Sequence, residues 1–135
     1  MPHNRAPKQG SKFYLPRAQY RYVVAFCMTY NDLRLKLLDL DGLHSHEQDG
    51  MPRGSGTSDP TGREAIRRAD TTRKIALIED TVLECAGQAM YAGMLASVTS
   101  EITYDQIRAR YNLPISKNAF SVLRRKIYWT IEKAL

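Results

Sequence analysis

Apolar residues recur at spacings of three and four through most of this chain, the period of a helix that buries one face. The clearest stripe is Ile75, Ile78, Val82, Cys85 and Ala89. An earlier one runs through Tyr20, Val23, Val24, Cys27 and Met28 and resumes at Leu33, Leu37 and Leu38. The spacing predicts helix over 17–40, with Asn31-Asp32 as a point where it breaks in two. The run Tyr22–Phe26 also suits a short strand, because periodicity does not decide so short an apolar run. Asp59-Pro60 offers a cap and a residue pre-set for a first helical turn. It opens a helix to about Ala69, and Thr71 or Thr72 starts another to about Ala86. Residues 88–99 continue as helix with Met90, Met94, Leu95 and Val98 inward. No segment after residue 58 alternates as a strand does. The expected fold class is therefore all-α, a helical bundle.

Punctuation divides the chain. Residues 41–58 hold four glycines, at 42, 50, 54 and 56, and read as a flexible Gly-rich linker. Residues 1–12 are polar and are expected to be disordered. The organisation is then an N-terminal arm and helical segment over 1–40, the linker over 41–58, and a helical domain over 59–135. The Ile75–Ala89 stripe serves either as core or as a seam against a partner helix, so a homo-oligomer stays open.

Residues 103–135 carry the strongest local signals. Thr103 is a good N-cap, and Gln106 three residues later completes a capping box. Asn112-Leu113-Pro114 ends that helix, since proline disfavours helical geometry in the residue before it. Ser116 caps the next. Two helices joined by a few residues, with Leu113 and Ile115 to plug the turn, are the pattern of a helix-turn-helix. On the second helix Phe120, Leu123, Ile127, Ile131 and Ala134 fall on one side. Asn118, Ser121, Val122, Arg125 and Trp129 fall broadly opposite, with Lys117 and Arg124 near one flank and Lys126 near the other. A helix entering a major groove needs short polar side chains for base edges and cations for bases and phosphates. Base readout is accordingly expected from Asn118, Ser121 and Arg125, and positioning on phosphates from Lys117, Arg124 and Lys126.

Charge sharpens this reading. The 135 residues have a formal net charge of +6, and a basic balance favours polyanionic partners. The excess is greatest in 103–135, where seven Lys/Arg face two Asp/Glu. Residues 58–102 are net acidic. Double-stranded DNA is the expected partner.

The segments KFYLPRAQYR, GSGTSDPTGREAIRRA and VTSEITYDQIRARYNLPISKNAFSVLRRKIYW resemble those of RinA/ArpU-type transcriptional regulators, encoded in phages and prophages of Gram-positive bacteria. The resemblance rests on Asp59-Pro60-Thr61 and on the run Ser116, Phe120, Arg124, Arg125. It implies a sigma-like helix-turn-helix and a role in transcription regulation. A small-terminase-like packaging protein and an adaptor for RNA polymerase, with Trp129 in the contact surface, are the alternatives.

Other chemistry is weakly represented. His44 and His46 with Glu47 and Asp49 sit in the linker without a companion motif, so no metal or cofactor is expected. The glycines at 50, 54 and 56 lack the Lys-Ser/Thr of a phosphate loop. No Ser/His/Asp or Cys/His set is recognisable, and the chain reads as non-enzymatic. Cys27 and Cys85 form no CxxC pair and suit reduced core thiols. Tyr14, Tyr20, Tyr22 and Tyr30 with Arg17 and Arg21 form a pattern that could stack bases, but core packing is the plainer role. The segment 1–12 lacks the apolar core of a secretory signal and no run is long enough to span a bilayer, so a cytoplasmic location is expected.

Overall fold

The computed structural model describes residues 6–40 and 60–135. Among them every regular element is helical: α1 Arg17–Met28, α2 Tyr30–Leu38, α3 Pro60–Ala86, a 3₁₀ turn Gln88–Met90, α4 Tyr91–Thr99, α5 Tyr104–Tyr111 and α6 Lys117–Ala134. No described helix is long and apolar enough to cross a membrane.

The helical period wins over the strand option at Tyr22–Phe26, which lies inside α1. Tyr20, Val23 and Cys27 form its buried face. The break comes at Thr29, two residues before the expected Asn31. The Thr29 hydroxyl donates to the Phe26 carbonyl at 2.6 Å, and its backbone N–H bonds the same oxygen. These bonds take up a carbonyl that would otherwise continue the helix. In contrast, the two helices expected within 59–86 are one, running from Pro60 to Ala86 without interruption. Asp70, expected to lie between them, instead bonds Arg73 and Lys74 one turn on. Such pairs at i,i+3 and i,i+4 support a continuous helix.

The described residues fall into two compact units. One comprises those up to Tyr30 together with Leu77–Leu135, and the other those within Asn31–Ala76. This division does not follow the boundaries read from composition at 40 and 58. A glycine-rich stretch marks where the sequence changes character, whereas packing follows the apolar faces, and α1 lies on α4 and α6. The linker itself, residues 41–58, falls outside the described residues.

In the larger unit Val23, Cys27, Ile78, Val82, Met94, Val98, Ile107, Phe120, Ile127, Tyr128 and Ile131 are buried. Three members of the Ile75 stripe, Ile75 in the smaller unit and Ile78 and Val82 in the larger, are thus core, while Cys85 is half-buried and Ala89 exposed. The Tyr20 and Tyr128 rings meet edge to face at 5.6 Å. Tyr30 donates its hydroxyl to the Glu79 carboxylate. Between α3 and the 3₁₀ turn, Gly87 takes φ +84°, a value that side-chain-bearing residues rarely adopt. In the smaller unit Leu33 and Thr71 are buried, and Arg68 donates to the Leu40 carbonyl at 2.8 Å.

Residues 6–12 are ordered, against expectation. Ser11 closes a turn onto the Lys8 carbonyl through its N–H at 3.0 Å and its hydroxyl at 2.6 Å. Pro7 and Leu15 are buried, and Phe13 meets Trp129 edge to face at 5.5 Å. Three apolar anchors suffice to hold an arm whose composition alone is polar. Residues 1–5 lie outside the described residues.

Burial raises the Cys27 thiol to about 12. It likewise raises the Tyr20 phenol to about 12, opposed by the charges of Arg124 and Arg125. In the folded protein both groups hold protons that the unfolded chain releases from their ordinary values of 9.0 and 10.0. Their contribution to stability is therefore complete below pH 9 and is lost as pH rises towards 12. Thermal melts across this range are expected to show a falling Tm, with the first part of the fall flattened in Cys27→Ala. A Tm constant from pH 9 to 11 would contradict the burial of these groups.

Candidate functional site

The α5–turn–α6 segment is built from local signals. The N–H of Gln106 donates to Thr103 Oγ1 at 3.3 Å, and the Thr103 N–H donates to Gln106 Oε1 at 3.1 Å. This is the reciprocal capping box read from the sequence. At the other end Asn112 adopts the left-handed conformation, φ 53° and ψ 51°, and its N–H bonds the Arg108 carbonyl at 2.8 Å. Asparagine tolerates this region better than most residues. The chain is thereby turned out of the helix before Pro114. Ser116 then caps α6 by accepting the Ala119 N–H at 3.2 Å.

Three contacts fix α6 against what precedes it. The Tyr104 hydroxyl donates to the Ile115 carbonyl at 2.6 Å. Its ring lies 5.1 Å from that of Phe120. Leu113, 4% exposed, is pressed onto α4 at Gly93, where an added Cβ would come within 2.7 Å of Leu113 Cδ2 and 3.2 Å of Tyr111 Cβ. A side chain at this position would require Leu113 to shift away from α4. Ile115, the other expected plug, is half-buried.

These contacts decide which side of α6 is free. Phe120, Arg124, Ile127, Tyr128 and Ile131 are buried. Lys117, Asn118, Val122 and Lys126 are exposed, and Ser121 and Arg125 are half-buried. Of the six residues expected to meet DNA, five thus lie wholly or partly on the surface of one helix. The sixth does not. Arg124 is only 7% exposed, with its guanidinium carbon 5.0 Å from the centre of the Phe120 ring. It is an interior residue, and the phosphate-positioning role expected of it has no surface to act from. The helical spacing accounts for this. Arg124 is four residues after Phe120, three before Ile127 and seven before Ile131, within the apolar stripe itself.

Trp129 is half-buried between the Phe13 ring and the Lys133 ammonium, which lies 4.4 Å from the indole centre. It is a packed aromatic on the N-terminal arm. The tyrosine pattern is dispersed: Tyr20 and Tyr30 are buried, whereas Tyr14 and Tyr22 are exposed. Arg108 and Arg110, exposed on α5, add cations that the sequence reading left unassigned. Among the described residues no group of three or more His, Cys, Asp or Glu is placed to hold a metal ion. His44, His46, Glu47 and Asp49 lie outside the described residues. Both Cys27 and Cys85 are free thiols.

The Gly93–Leu113 contact supplies a direct test of how the turn is held. Alanine is a better helix former than glycine by roughly 0.5–1 kcal/mol. Overpacking a core position costs about 1–3 kcal/mol. Urea denaturation of Gly93→Ala is therefore expected to show a net loss of about 1 kcal/mol. In a Leu113→Ala background, where the neighbour is gone, the same substitution should become neutral or stabilising. A loss of equal size in both backgrounds would refute the contact.

The chain matches no protein-family model, no curated protein and no solved structure.

Proposed function

We propose that this chain is a phage- or prophage-type DNA-binding transcription regulator that reads duplex DNA with a C-terminal helix-turn-helix, α5 and α6. The observation that carries the proposal is the exposed face of α6. Asn118 and Ser121 offer short hydrogen-bonding side chains near the helix start, and Lys117, Arg125 and Lys126 offer cations beside them. The helix has a single acidic residue, Glu132, near its far end. Short polar groups that hydrogen-bond base edges, flanked by cations that meet phosphates, are the chemistry of major-groove readout. The capped turn and its packing on α4 fix the orientation of that face, which positional readout requires. The resemblance of residues 98–129 to the RinA/ArpU-type regulators supports the same assignment.

Roles follow from placement. Lys117 and Lys126 take the phosphates, with Arg108 and Arg110 of α5 available to the backbone alongside. Asn118, Ser121 and Arg125 take base edges, and Val122 offers an apolar contact of the kind a thymine methyl accepts. Arg124 supports Phe120 from inside. Trp129, half-buried against Phe13, offers a polymerase-adaptor role only part of its ring.

Selection from a random-sequence duplex pool, followed by fluorescence anisotropy on the selected duplex, tests the assignment. Binding should weaken linearly on a log–log salt plot. Lys117→Gln with Lys126→Gln should make the slope shallower by about two. Asn118→Ala and Arg125→Ala should each erode discrimination between bases by about 1–3 kcal/mol. Arg124→Ala should instead lower Tm, since a desolvated cation–π contact is worth up to about 2 kcal/mol. Failure of the wild-type chain to retain any duplex at 50 mM salt would overturn the assignment. A large ring in light scattering with sequence-indifferent binding would favour packaging in its place.

A further inference from the structure

Residues 1–31 contain five Lys/Arg and no Asp or Glu. The described part of this stretch folds around a cavity of about 530 Å³, lined by Ala6, Pro7, Gln9 and Tyr14 together with Leu15, Arg17, Tyr20 and Arg21. Its lining includes two arginines and no acidic residue. Arg17 and Arg21 are exposed and have no ion-pair partner among the described residues. They stand four residues apart on α1, where like charges repel. The cavity is also beside α6. Its buried tyrosine, Tyr20, packs on Tyr128, and Phe13 packs on Trp129. Arg124 and Arg125 are close enough for their charge to act on the Tyr20 phenol.

From this arrangement we infer that the cavity between the N-terminal arm and α1 is a phosphate site, with Arg17 and Arg21 as its binding groups and a backbone phosphate of the duplex read by α6 as its occupant. Several observations converge on that chemistry. The guanidinium fork matches phosphate oxygens in pairs, and an i,i+4 arginine pair presents two forks to one anion. Ligand sites commonly measure about 300–1,000 Å³, so this cavity takes a phosphodiester with its sugar rather than a bare ion. Gln9 and Tyr14, which also line the cavity, carry neutral donors. The duplex is the source because the cavity lies beside the helix proposed to read bases, through the contact of its Tyr20 with Tyr128. A backbone leaving the groove beside α6 meets the arm next, and contacts of this kind fix register without reading sequence.

The inference rests on the proposed DNA-reading role of α6, and two measurements separate their failures. In the first, Arg17→Gln/Arg21→Gln is titrated against the duplex selected by the wild-type chain across a salt series. Affinity at 150 mM salt should fall about tenfold, the log–log slope should become shallower by about two, and the ranking of duplex sequences should stay the same. An unchanged slope in a variant with wild-type Tm overturns the inference. In the second, Tm is measured without DNA in sodium pyrophosphate and in sodium chloride of equal ionic strength. A rise with pyrophosphate that the double variant lacks supports the phosphate site on its own. If the wild-type chain binds no duplex, that rise assigns the site to a free phosphorylated ligand and overturns the duplex as occupant. No rise together with no duplex binding overturns the site altogether.

Discussion

The burial of one face of α6 governs the rest. Phe120, Ile127, Tyr128 and Ile131 are each almost wholly removed from solvent, against α1, α4 and the Tyr104 ring. Side chains of this size contribute roughly 1.5–3 kcal/mol each when fully buried. A rotation of the helix by one residue would carry Phe120 towards water and Asn118 or Lys126 towards the core. The orientation of the exposed face is therefore enforced by apolar packing, and the polar side chains on it are free to be chosen for what they touch. Gly93 and Leu113 extend this control to the turn, since the close approach of α4 leaves the segment between α5 and α6 little room to shift.

Much of the helix layout was legible in the sequence because its signals are local. The Thr103–Gln106 box, the Asn112 stop and the Ser116 cap each act within four residues, and all three form as read. The stripes through Tyr20–Cys27 and Ile75–Val82 were legible for the same reason. What escaped depends on competition between local signals. Thr29 rather than Asn31 ends α1, because a threonine hydroxyl reached the preceding carbonyl first. Asp70 did not stop α3, because Arg73 and Lys74 supplied the partners that make an aspartate tolerable inside a helix.

The candidate face was only partly legible, and the reason is physical. Charge marks surface in most sequences, yet an arginine can lie along an aromatic ring and still be satisfied, as Arg124 is on Phe120. Its position four residues from Phe120 was the better guide. Trp129 erred the opposite way: it falls on the polar side of the wheel but finds cover from Phe13, which lies more than a hundred residues earlier in the chain. No local pattern could announce that partner. The placement of residues 6–12 was invisible for the same reason, because Pro7 and the neighbouring Phe13 and Leu15 gain their value only from surfaces made elsewhere.

The packing of α1 on α6 has a consequence for how the chain is made. α1 ends at Met28 and α6 begins at Lys117, so the faces that cover each other emerge from the ribosome far apart in time. During most of synthesis Val23 and Cys27 have no α6 to meet, and Phe120, Ile127, Tyr128 and Ile131 arrive only with that helix. The larger unit thus closes only when its final helix is released. A premature stop anywhere before Lys117 leaves the apolar side of α1 without its cover, so quality control by chaperones or proteases has a long window in which to act on incomplete chains.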